Sequence, residues 1–226
     1  NLARTCGVTL YSVLLAGFAV LLARLSGQSD FAIGIPFASQ ALADGGHLIG
    51  DGVNTLPLRL NLESGETFAA LAQRCHRALL DAADNQDLTL YTLLSAPGWN
   101  RRAERSPLTD IVFNLNPRVA PLDFGGPACT LRDCAKAALV KELFFNFSDA
   151  GDRLVLDVHF RTALFDAATI VRWIGHYQTL LSAAAAGEGE RVEALPIMDA
   201  AQQRAIVQHY DSDVLDASLL LMPLCK

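Results

Sequence analysis

The chain has 226 residues, of which 51% are hydrophobic, and its formal net charge is −6. A chain of this length can fold as one domain or as one lobe of a longer protein, and its acidic balance argues against binding nucleic acid, whose phosphates demand basic clusters. The five cysteines include no CxxC pair, which favours buried thiols in a reducing compartment over a disulfide framework or a zinc site. No secretory signal is visible, so we predict a cytoplasmic protein, and the start at Asn1 suggests an origin in a longer chain.

The first predicted element is an uncharged run at residues 6–23, which has the length of a membrane span. Thr9 and Ser12 lie inside this run, and Gly27 ends it shortly before a strand at residues 31–37. A helix that is apolar on every side can also be the buried central helix of a large domain. We therefore predict a buried helix followed by a strand that is buried on both faces.

A second strand is predicted from Val53, where apolar and polar side chains begin to alternate. Pro57 has no backbone N–H, so it should lie at a sheet edge, at a bulge or outside the hydrogen-bonded ladder. Arg59 stands at the far end of this otherwise apolar strand. A guanidinium in such a setting needs a carboxylate or several carbonyl groups, unless the residue is an ordinary surface arginine.

Ser64 is the predicted N-cap of a helix whose apolar side chains recur at helical spacing as far as Ala82. His76 lies off this apolar stripe, so we interpret it as a solvated residue. The polar run at residues 84–87 follows the helix, and it lacks the glycine-bearing loop of a calcium site. We therefore predict no metal site there.

A strand is predicted at residues 108–116, and a proline-rich connector follows it. The clearest hairpin joins residues 141–148 to residues 153–161 through an Asp-Ala-Gly-Asp turn. Asp157 and His159 share one face of the second strand, as some catalytic dyads do. No serine, cysteine or oxyanion loop accompanies them in sequence, so we interpret both as part of a solvated sheet face.

Asp166 is the predicted N-cap of the most regular helix in the chain, and Gly187 is its predicted end. The side chains predicted to form its buried stripe are Ile170, Trp173, Ile174, Tyr177, Leu181 and Ala184.

Several stretches of the chain, taken in order, resemble the motifs of one known family. They are YSVLLAGFAVLLARLSGQSDFAIGIPFASQ, IGDGVNTLPLR, NQDLTLYTLL, RSPLTDIVFNLNP, FRTALFDAATIVRWIGHYQTLL and LPIMDAAQQRAIV. They resemble the C-terminal half of nonribosomal peptide synthetase condensation domains, and together they extend over about residues 10–207. No single stretch is decisive, whereas their common order and spacing make a strong match.

The resemblance implies an α/β fold similar to that of chloramphenicol acetyltransferase. In that fold two similar lobes, each a mixed β-sheet backed by helices, form a V with a tunnel between them. Residues 1–190 would be the C-terminal lobe of a condensation domain. Residues 191–226 would be an exit linker toward a following adenylation domain, with a tail after Tyr210 that the resemblance does not cover.

The resembled family joins an upstream acyl or peptidyl thioester to the amine of a downstream aminoacyl thioester. Both substrates are carried on the phosphopantetheine arms of carrier proteins, and no directly bound cofactor is implied. The family's catalytic signature, HHxxxDG, belongs to the other lobe, and none of the five histidines here begins that pattern. We therefore carry over no catalytic residue and expect the chain to be inactive alone.

The resemblance also implies supporting roles for particular residues. Arg59 matches the arginine that pairs across the lobe interface with the aspartate of HHxxxDG, so its carboxylate partner is expected outside this chain. Asp166 matches an aspartate near the latch of the family. Asn54, Gln86 and Asp87 match positions close to the substrate tunnel.

The chain departs from the family pattern at two positions. Ala163 stands where an aspartate is usual, and Gly52 stands where a bulky residue is usual, which could loosen the tunnel wall. The expected partners are the missing N-terminal lobe, carrier-protein domains and the adenylation domain, with no nucleic acid and no membrane.

Two other functions fit the same fold. One is a non-catalytic docking module that recruits a partner to a carrier protein, and the other is an epimerisation domain, which the condensation-like motifs disfavour. An intact or a degenerate HHxxxDG before Asn1 would separate the enzyme from the docking module.

Overall fold

The computed structural model describes residues 1–38, 52–95, 108–118, 125–126, 141–187, 191–199 and 201–208. The helices are α1 (Leu2–Cys6), α2 (Leu10–Ser26), α3 (Phe68–Asp84), α4 (Leu90–Leu94) and α5 (Ala167–Ala186). The strands are β1 (Asp30–Ala38), β2 (Val53–Asn61), β3 (Ile111–Asn116), β4 (Leu143–Asp149) and β5 (Leu154–Phe160). A 3₁₀ turn at Val192–Ala194 follows, and residues 201–208 are helical.

The described strands form one mixed sheet in the order β2-β1-β3-β4-β5. β1, β3 and β4 run parallel to one another, and β2 and β5 pair antiparallel at the two edges. Pro57 therefore lies on an edge strand, which is one of the three positions that the sequence predicts for it. The hairpin of β4 and β5 also forms as predicted, with Leu143 opposite Phe160.

The long helices α2, α3 and α5 share one hydrophobic core with a single face of the sheet. Because side chains alternate along a strand, Phe113, Phe145 and Phe147 point into this core while their neighbours point to the opposite face. The ring of Phe18 lies 5.3 Å from that of Phe113 and 4.6 Å from that of Phe145. We call the sheet surface that faces away from the core the outer face.

Helix α2 lies at the centre of the core, and residues 12–22 are all buried. This burial confirms the interpretation of the uncharged run as a buried central helix. None of the helices in the described ranges is long and apolar enough to cross a membrane. Thr9 caps the helix by accepting a hydrogen bond from the Ser12 backbone N–H at 3.2 Å.

Two expectations for α3 are wrong. The N-cap is Thr67, whose Oγ1 accepts from Ala70 N at 3.2 Å, and not Ser64, which precedes a turn at Gly65 with φ of 77°. His76 is half-buried rather than solvated, because its Nδ1 lies 3.1 Å from the Oγ of Ser12 on α2. Packing between α2 and α3 brings this pair together, and the sequence alone does not show it.

The described cysteines agree with the expectation of buried thiols. Cys6 and Cys75 are both buried. Burial raises the pKa of the Cys75 thiol to about 12, so this side chain is an uncharged core residue at neutral pH. The remaining cysteines, Cys129, Cys134 and Cys225, lie outside the described residues.

The segment after α5 packs back onto the hydrophobic core. Val192 and Leu195 are buried, and Val192 N donates to Glu66 O at 2.9 Å. A carboxylate oxygen of Glu193 accepts from Gly65 N at 2.6 Å. The first residues of the predicted exit linker are thus part of the same packed body, and the domain boundary at residue 190 stays a prediction.

Gly17 and Gly175 are matched helical glycines that test the packing of α2 against α5. A Cβ on Gly17 would lie 2.6 Å from Leu181 Cδ2 and 3.3 Å from Tyr177 Cε2, whereas nothing lies within 4 Å of a Cβ on Gly175. Alanine is favoured over glycine within a helix by about 0.5–1 kcal/mol, so Gly175→Ala should stabilise the chain by that amount. Gly17→Ala should destabilise it, because overpacking costs about 1–3 kcal/mol.

Urea unfolding of the wild-type chain and both variants is the measurement. Equal stabilisation by the two substitutions would contradict the close packing at Gly17 and would mean that Leu181 moves aside without cost.

Candidate functional site

The outer face of the sheet changes from apolar to polar toward the carboxyl ends of the parallel strands. The strand register aligns Gly34, Val112, Phe144 and His159 in one row across β1, β3, β4 and β5. The next row contains Asn114, Asn146 and Asp157, and the row after it contains Asn116 and Ser148. On β3 and β4, the polar side chains of the outer face are therefore concentrated at the carboxyl ends of the strands.

Asn114, Asn116, Asn146 and Ser148 are half-buried and form what we call the asparagine cluster. Asn114 Nδ2 donates to Asn116 Oδ1 at 2.8 Å and to Asn146 Oδ1 at 2.9 Å. Asn116 Nδ2 donates to Asn146 Oδ1 at 3.1 Å and to Ser148 Oγ at 3.4 Å. These bonds offset the cost of withdrawing amides from water, and they hold the cluster in one arrangement.

Asn54 lies at the same end of the sheet, since β2 runs antiparallel to β1 and pairs Asn54 with Phe37. Its Nδ2 donates to Gln86 O at 3.0 Å and to Leu88 O at 2.9 Å. These two hydrogen bonds, which we call the brace, attach the turn between α3 and α4 to the edge strand β2. The structure thus brings Asn54 and Gln86 together, although the contact uses the backbone carbonyl of Gln86.

Asp87 lies between the two braced carbonyl groups and is exposed. A pocket of about 140 Å³ lies beside the brace, between β2, the end of α3 and α4. Its lining is mainly apolar and includes Leu56, Pro57, Leu88, Leu90 and Leu93. The pocket has the size of one apolar side chain and carries no ionised group among these residues.

Arg59 lies near the opposite end of β2 and has a partner within this chain. Its Nε and Nη2 donate to the two carboxylate oxygens of Asp30 at 2.9 and 2.7 Å. The structure therefore gives Arg59 a carboxylate partner within this chain, and its pairing across a lobe interface stays a prediction. The antiparallel register explains the pair, because Asp30 opposite Asn61 and Ala32 opposite Arg59 make Asp30 and Arg59 diagonal neighbours.

The pair of Arg59 and Asp30 is open to water, with the two side chains 79% and 45% exposed. The hydrogen bond from Arg59 lowers the pKa of the Asp30 carboxyl below its ordinary value. Exposed ion pairs contribute little to stability because water screens both charges. The pair therefore orients the guanidinium more than it stabilises the fold.

Asp166 caps α5, as the sequence predicts. One carboxylate oxygen accepts from Thr169 N at 2.7 Å, and the other accepts from the Thr169 hydroxyl at 3.1 Å. The bond from the Thr169 backbone N–H is the main reason that the pKa of the Asp166 carboxyl is lowered. Its observed contacts are those of a helix cap, and a role at a lobe interface stays a prediction.

The described histidines do not assemble a catalytic constellation. The contact of Ser12 with His76 joins a nucleophile type to a base type, but Ser12 is fully buried and out of reach of a substrate. The ring of His159 lies against Phe144 at 5.9 Å, and His176 is buried in α5. Within the described ranges no three His, Cys, Asp or Glu side chains are grouped to hold a metal ion.

Some positions fall outside the described residues, including His47 and His209. The asparagine cluster is not among the sites predicted from the sequence. Its signal was available, because FNLN and FNFS place polar residues at every second position of otherwise apolar strands. The sequence does not show that β3 and β4 pair in parallel, which is what places these side chains next to one another.

A condensation domain family model matches residues 1–207. Bacitracin synthase 1 of Bacillus licheniformis is 30% identical over 213 residues, which are 93% of this chain and 4% of that protein. The solved first condensation domain of the CDA synthetase has a TM-score of 0.72 at 20% identity, over 88% of this chain and 44% of that one. The X-domain in complex with OxyB from teicoplanin biosynthesis has a TM-score of 0.73 at 21% identity, over 87% of this chain and 44% of that one.

These matches confirm the predicted fold class, a mixed sheet backed by helices as in the chloramphenicol acetyltransferase-like domains. They also confirm the resemblance to peptide synthetase condensation domains. The chain spans less than half of these solved chains and a few per cent of the curated relative.

The brace at Asn54 can be tested by hydrogen exchange. Asn54→Ala removes both hydrogen bonds to the α3–α4 turn, so amide exchange at residues 86–93 should become faster while the core helices keep their protection. Asn61→Ala is the matched control, because Asn61 is exposed on the same strand and far from the turn. Unchanged exchange at residues 86–93 in Asn54→Ala would contradict the brace.

The cap at Asp166 predicts a pH dependence of stability. The folded-state pKa of this carboxyl is lowered, so its stabilising effect is fully present above the ordinary aspartate pKa and is lost as the pH falls through the lowered value. Thermal unfolding should show a gap between the wild-type chain and Asp166→Ala at neutral pH that closes in acid. Asp166→Ser keeps a capping oxygen without a titrating charge, so its difference from Asp166→Ala should not close. A gap between wild type and Asp166→Ala that is constant in acid would contradict the cap's charge dependence.

Proposed function

Because this chain belongs to the condensation domain family, we propose that it forms the C-terminal lobe of a domain that joins two carrier-protein-bound thioesters through an amide bond. One substrate is an acyl or peptidyl thioester, and the other is an aminoacyl thioester whose amine attacks it. The observation that carries the proposal is a family match over residues 1–207 combined with coverage of 44% of a solved condensation domain chain. An N-terminal lobe with the HHxxxDG signature would supply the other half.

Amide-bond formation from a thioester can be divided between two lobes, one that orients the reactants and one that transfers the proton. Attack of an amine on a thioester depends mainly on holding the two reactants in line, with proton transfer as the smaller contribution. The described residues of this chain offer buried or stacked histidines and no base beside a nucleophile within reach of solvent. We propose that this lobe binds and orients, and that the HHxxxDG histidine handles the proton.

Arg59 is proposed to bind the aspartate of that signature across the lobe interface. A guanidinium carries more N–H donors than one carboxylate engages, and Arg59 is 79% exposed beside Asp30. Asp30 would orient the guanidinium in advance, which supports bidentate pairing with a second carboxylate. The brace from Asn54 to the turn that contains Gln86 and Asp87 is proposed to hold one wall of the substrate tunnel.

The proposed partners are carrier proteins, through their phosphopantetheine arms, and a following adenylation domain. Residues 191–226 are proposed to lead toward that domain. The helical residues 201–208 begin with reciprocal bonds between Asp199 and Gln202, and they expose the apolar side chains of Ile206 and Val207. A cytoplasmic location is part of this proposal.

A second candidate is the non-catalytic docking module. The observation that favours it is the similar fold of the X-domain, which occurs in a complex with OxyB. In this alternative the lobe pair would hold a partner protein against a carrier protein, and amide-bond formation would not depend on the HHxxxDG histidine.

The deciding experiment is a condensation assay with both carrier proteins loaded and the amide product followed by mass spectrometry. The chain alone should give no product, and the complete domain should give product that disappears when the second histidine of HHxxxDG is replaced by alanine. Product from the chain alone, dependent on His159 or His176, would contradict the proposal. A complete domain that binds carrier proteins but makes no amide would favour docking.

The same assay tests Arg59. In the complete domain, Arg59→Ala should abolish most of the product, because the aspartate of the catalytic loop loses its partner. Arg153→Ala is the control, since Arg153 is an exposed arginine at the β4–β5 turn, 72% exposed and paired with Asp152 at 3.6 Å. Equal activity of the two variants would remove Arg59 from the lobe interface.

A further inference from the structure

The two edges of the described sheet differ in the backbone groups that they present. On β2, Leu62 N donates to Ser29 O at 2.8 Å, and the strand register then turns the backbone of Pro57 away from β1. Proline has no N–H, so it interrupts the outward row of donors, and Asn61 O already accepts from the Arg74 guanidinium. The β2 edge is therefore blocked against the addition of another strand.

The β5 edge is open, because no strand in the described ranges pairs with β5 on the side away from β4. Ala150 N donates to Arg153 O at 3.0 Å. At the other end of the hairpin, Arg161 N donates to Glu142 O at 3.0 Å. With the antiparallel register, these bonds turn the odd-numbered residues of β5 toward β4 and the even-numbered ones outward. The outward residues, none of which is proline, are Leu154, Leu156, Val158 and Phe160.

We propose that β5 pairs antiparallel with β5 of a second copy of this chain, so that Asp157 of each copy lies opposite His159 of the other. An unprotected edge of this kind is a template for another strand. The pairing is symmetric, with Val158 opposite itself on the two-fold axis, and it joins the two sheets into one. The inference concerns assembly and goes beyond the reaction proposed above.

The charges along β5 select both the partner and the register. Asp157 and His159 face β4 with their backbone groups, so across the new pair they lie in non-hydrogen-bonded positions, where Cα atoms approach to about 4.5 Å. The neighbouring register on one side sets Asp157 against itself, and like charges directly opposite are destabilising. The neighbouring register on the other side sets His159 against itself and shortens the overlap. Because one strand carries both members of the pair, β5 is complementary to itself, which favours a second copy over an unrelated strand.

The side chains on the core side of β5 also fit this register. Leu156, Val158 and Phe160 pack against the hydrophobic core, but they stay half-buried at the edge. In the proposed pair Leu156 lies opposite Phe160 of the other copy, and the two copies of Val158 lie opposite each other. Cross-strand contacts between aromatic and aliphatic side chains stabilise antiparallel pairs, and they remove apolar surface from water.

Sedimentation of the 226-residue chain over a concentration series tests the pairing. The wild-type chain should be mainly dimeric at about 100 µM and should dissociate on dilution. Asp157→Lys sets a lysine opposite His159, and His159→Asp sets an aspartate opposite Asp157. Each variant alone should raise the Kd of the dimer about 10- to 100-fold, because two attractive pairs become repulsive.

An equimolar mixture of these two variants should dimerise again. The new lysine of one chain then lies opposite the new aspartate of the other, and the remaining His159 lies opposite the remaining Asp157. Asp152→Lys is the matched control at the β4–β5 turn, where Asp152 is 75% exposed, and it should leave the Kd unchanged. A monomeric wild-type chain, a dimer that both single variants keep, or a mixture as monomeric as its components would overturn the inference.

A proline substitution tests the backbone contribution. Val158→Pro removes an N–H that points outward, so the hydrogen bonds to β4 stay intact, whereas the pairing between copies is lost. Val158→Ala shortens the same side chain and keeps the N–H. Thermal unfolding should show that both variants are folded, and Val158→Pro should raise the Kd at least about 10-fold more than Val158→Ala. Equal effects of the two variants would contradict strand pairing.

The complete domain separates a second copy from the N-terminal lobe as the partner of β5. A complete domain that dimerises, and that loses its dimer with Asp157→Lys, supports the pairing of copies. A complete domain that stays monomeric while the chain dimerises assigns the edge to the N-terminal lobe and overturns the inference. Amide formation is measured separately, so failure of the proposed function leaves this result readable.

Discussion

The burial of α2 on all sides is the constraint on which the rest of the structure depends. A helix with residues 12–22 all buried needs apolar partners around its whole circumference. The sheet supplies one side through Phe113 and Phe145, which stack around Phe18. α3 and α5 supply the others, and Tyr177 donates from α5 to the α2 backbone at 2.8 Å. One face of the sheet is therefore buried in the core.

The opposite face is where polar chemistry can be placed, and the strand register decides how it is arranged. Asn114 and Asn146 lie in one row because β3 and β4 run parallel without a shift, and their amides bond each other in place of water. Asn54 lies at the same end of the sheet but on the core side, the face that it shares with Leu56 and Leu58. This end of the outer face thus combines four neutral hydrogen-bonding side chains with one carboxylate, that of Asp157.

The charged groups near the candidate site lie at the surface, and they orient the groups to which they are hydrogen-bonded. Asp30 fixes the direction of the exposed Arg59 guanidinium, and Asp166 fixes the start of α5. The N–H of Gly65 holds the carboxylate of Glu193 and is the main cause of its lowered pKa, so the segment after α5 is fastened to the turn between β2 and α3. With Leu195 fully buried, the start of this segment is part of the hydrophobic core.

The sequence by itself determined most strand and helix types, the cap at Asp166 and the family, because these follow from local periodicity, capping chemistry and motif order. It also named Asn54 and Gln86, but not the backbone contact that joins them. Only the tertiary structure decided which strands are neighbours, and with that the asparagine cluster and the partner of Arg59. The physical reason is that register and helix packing join residues far apart in the chain, and local preferences carry no information about such pairs.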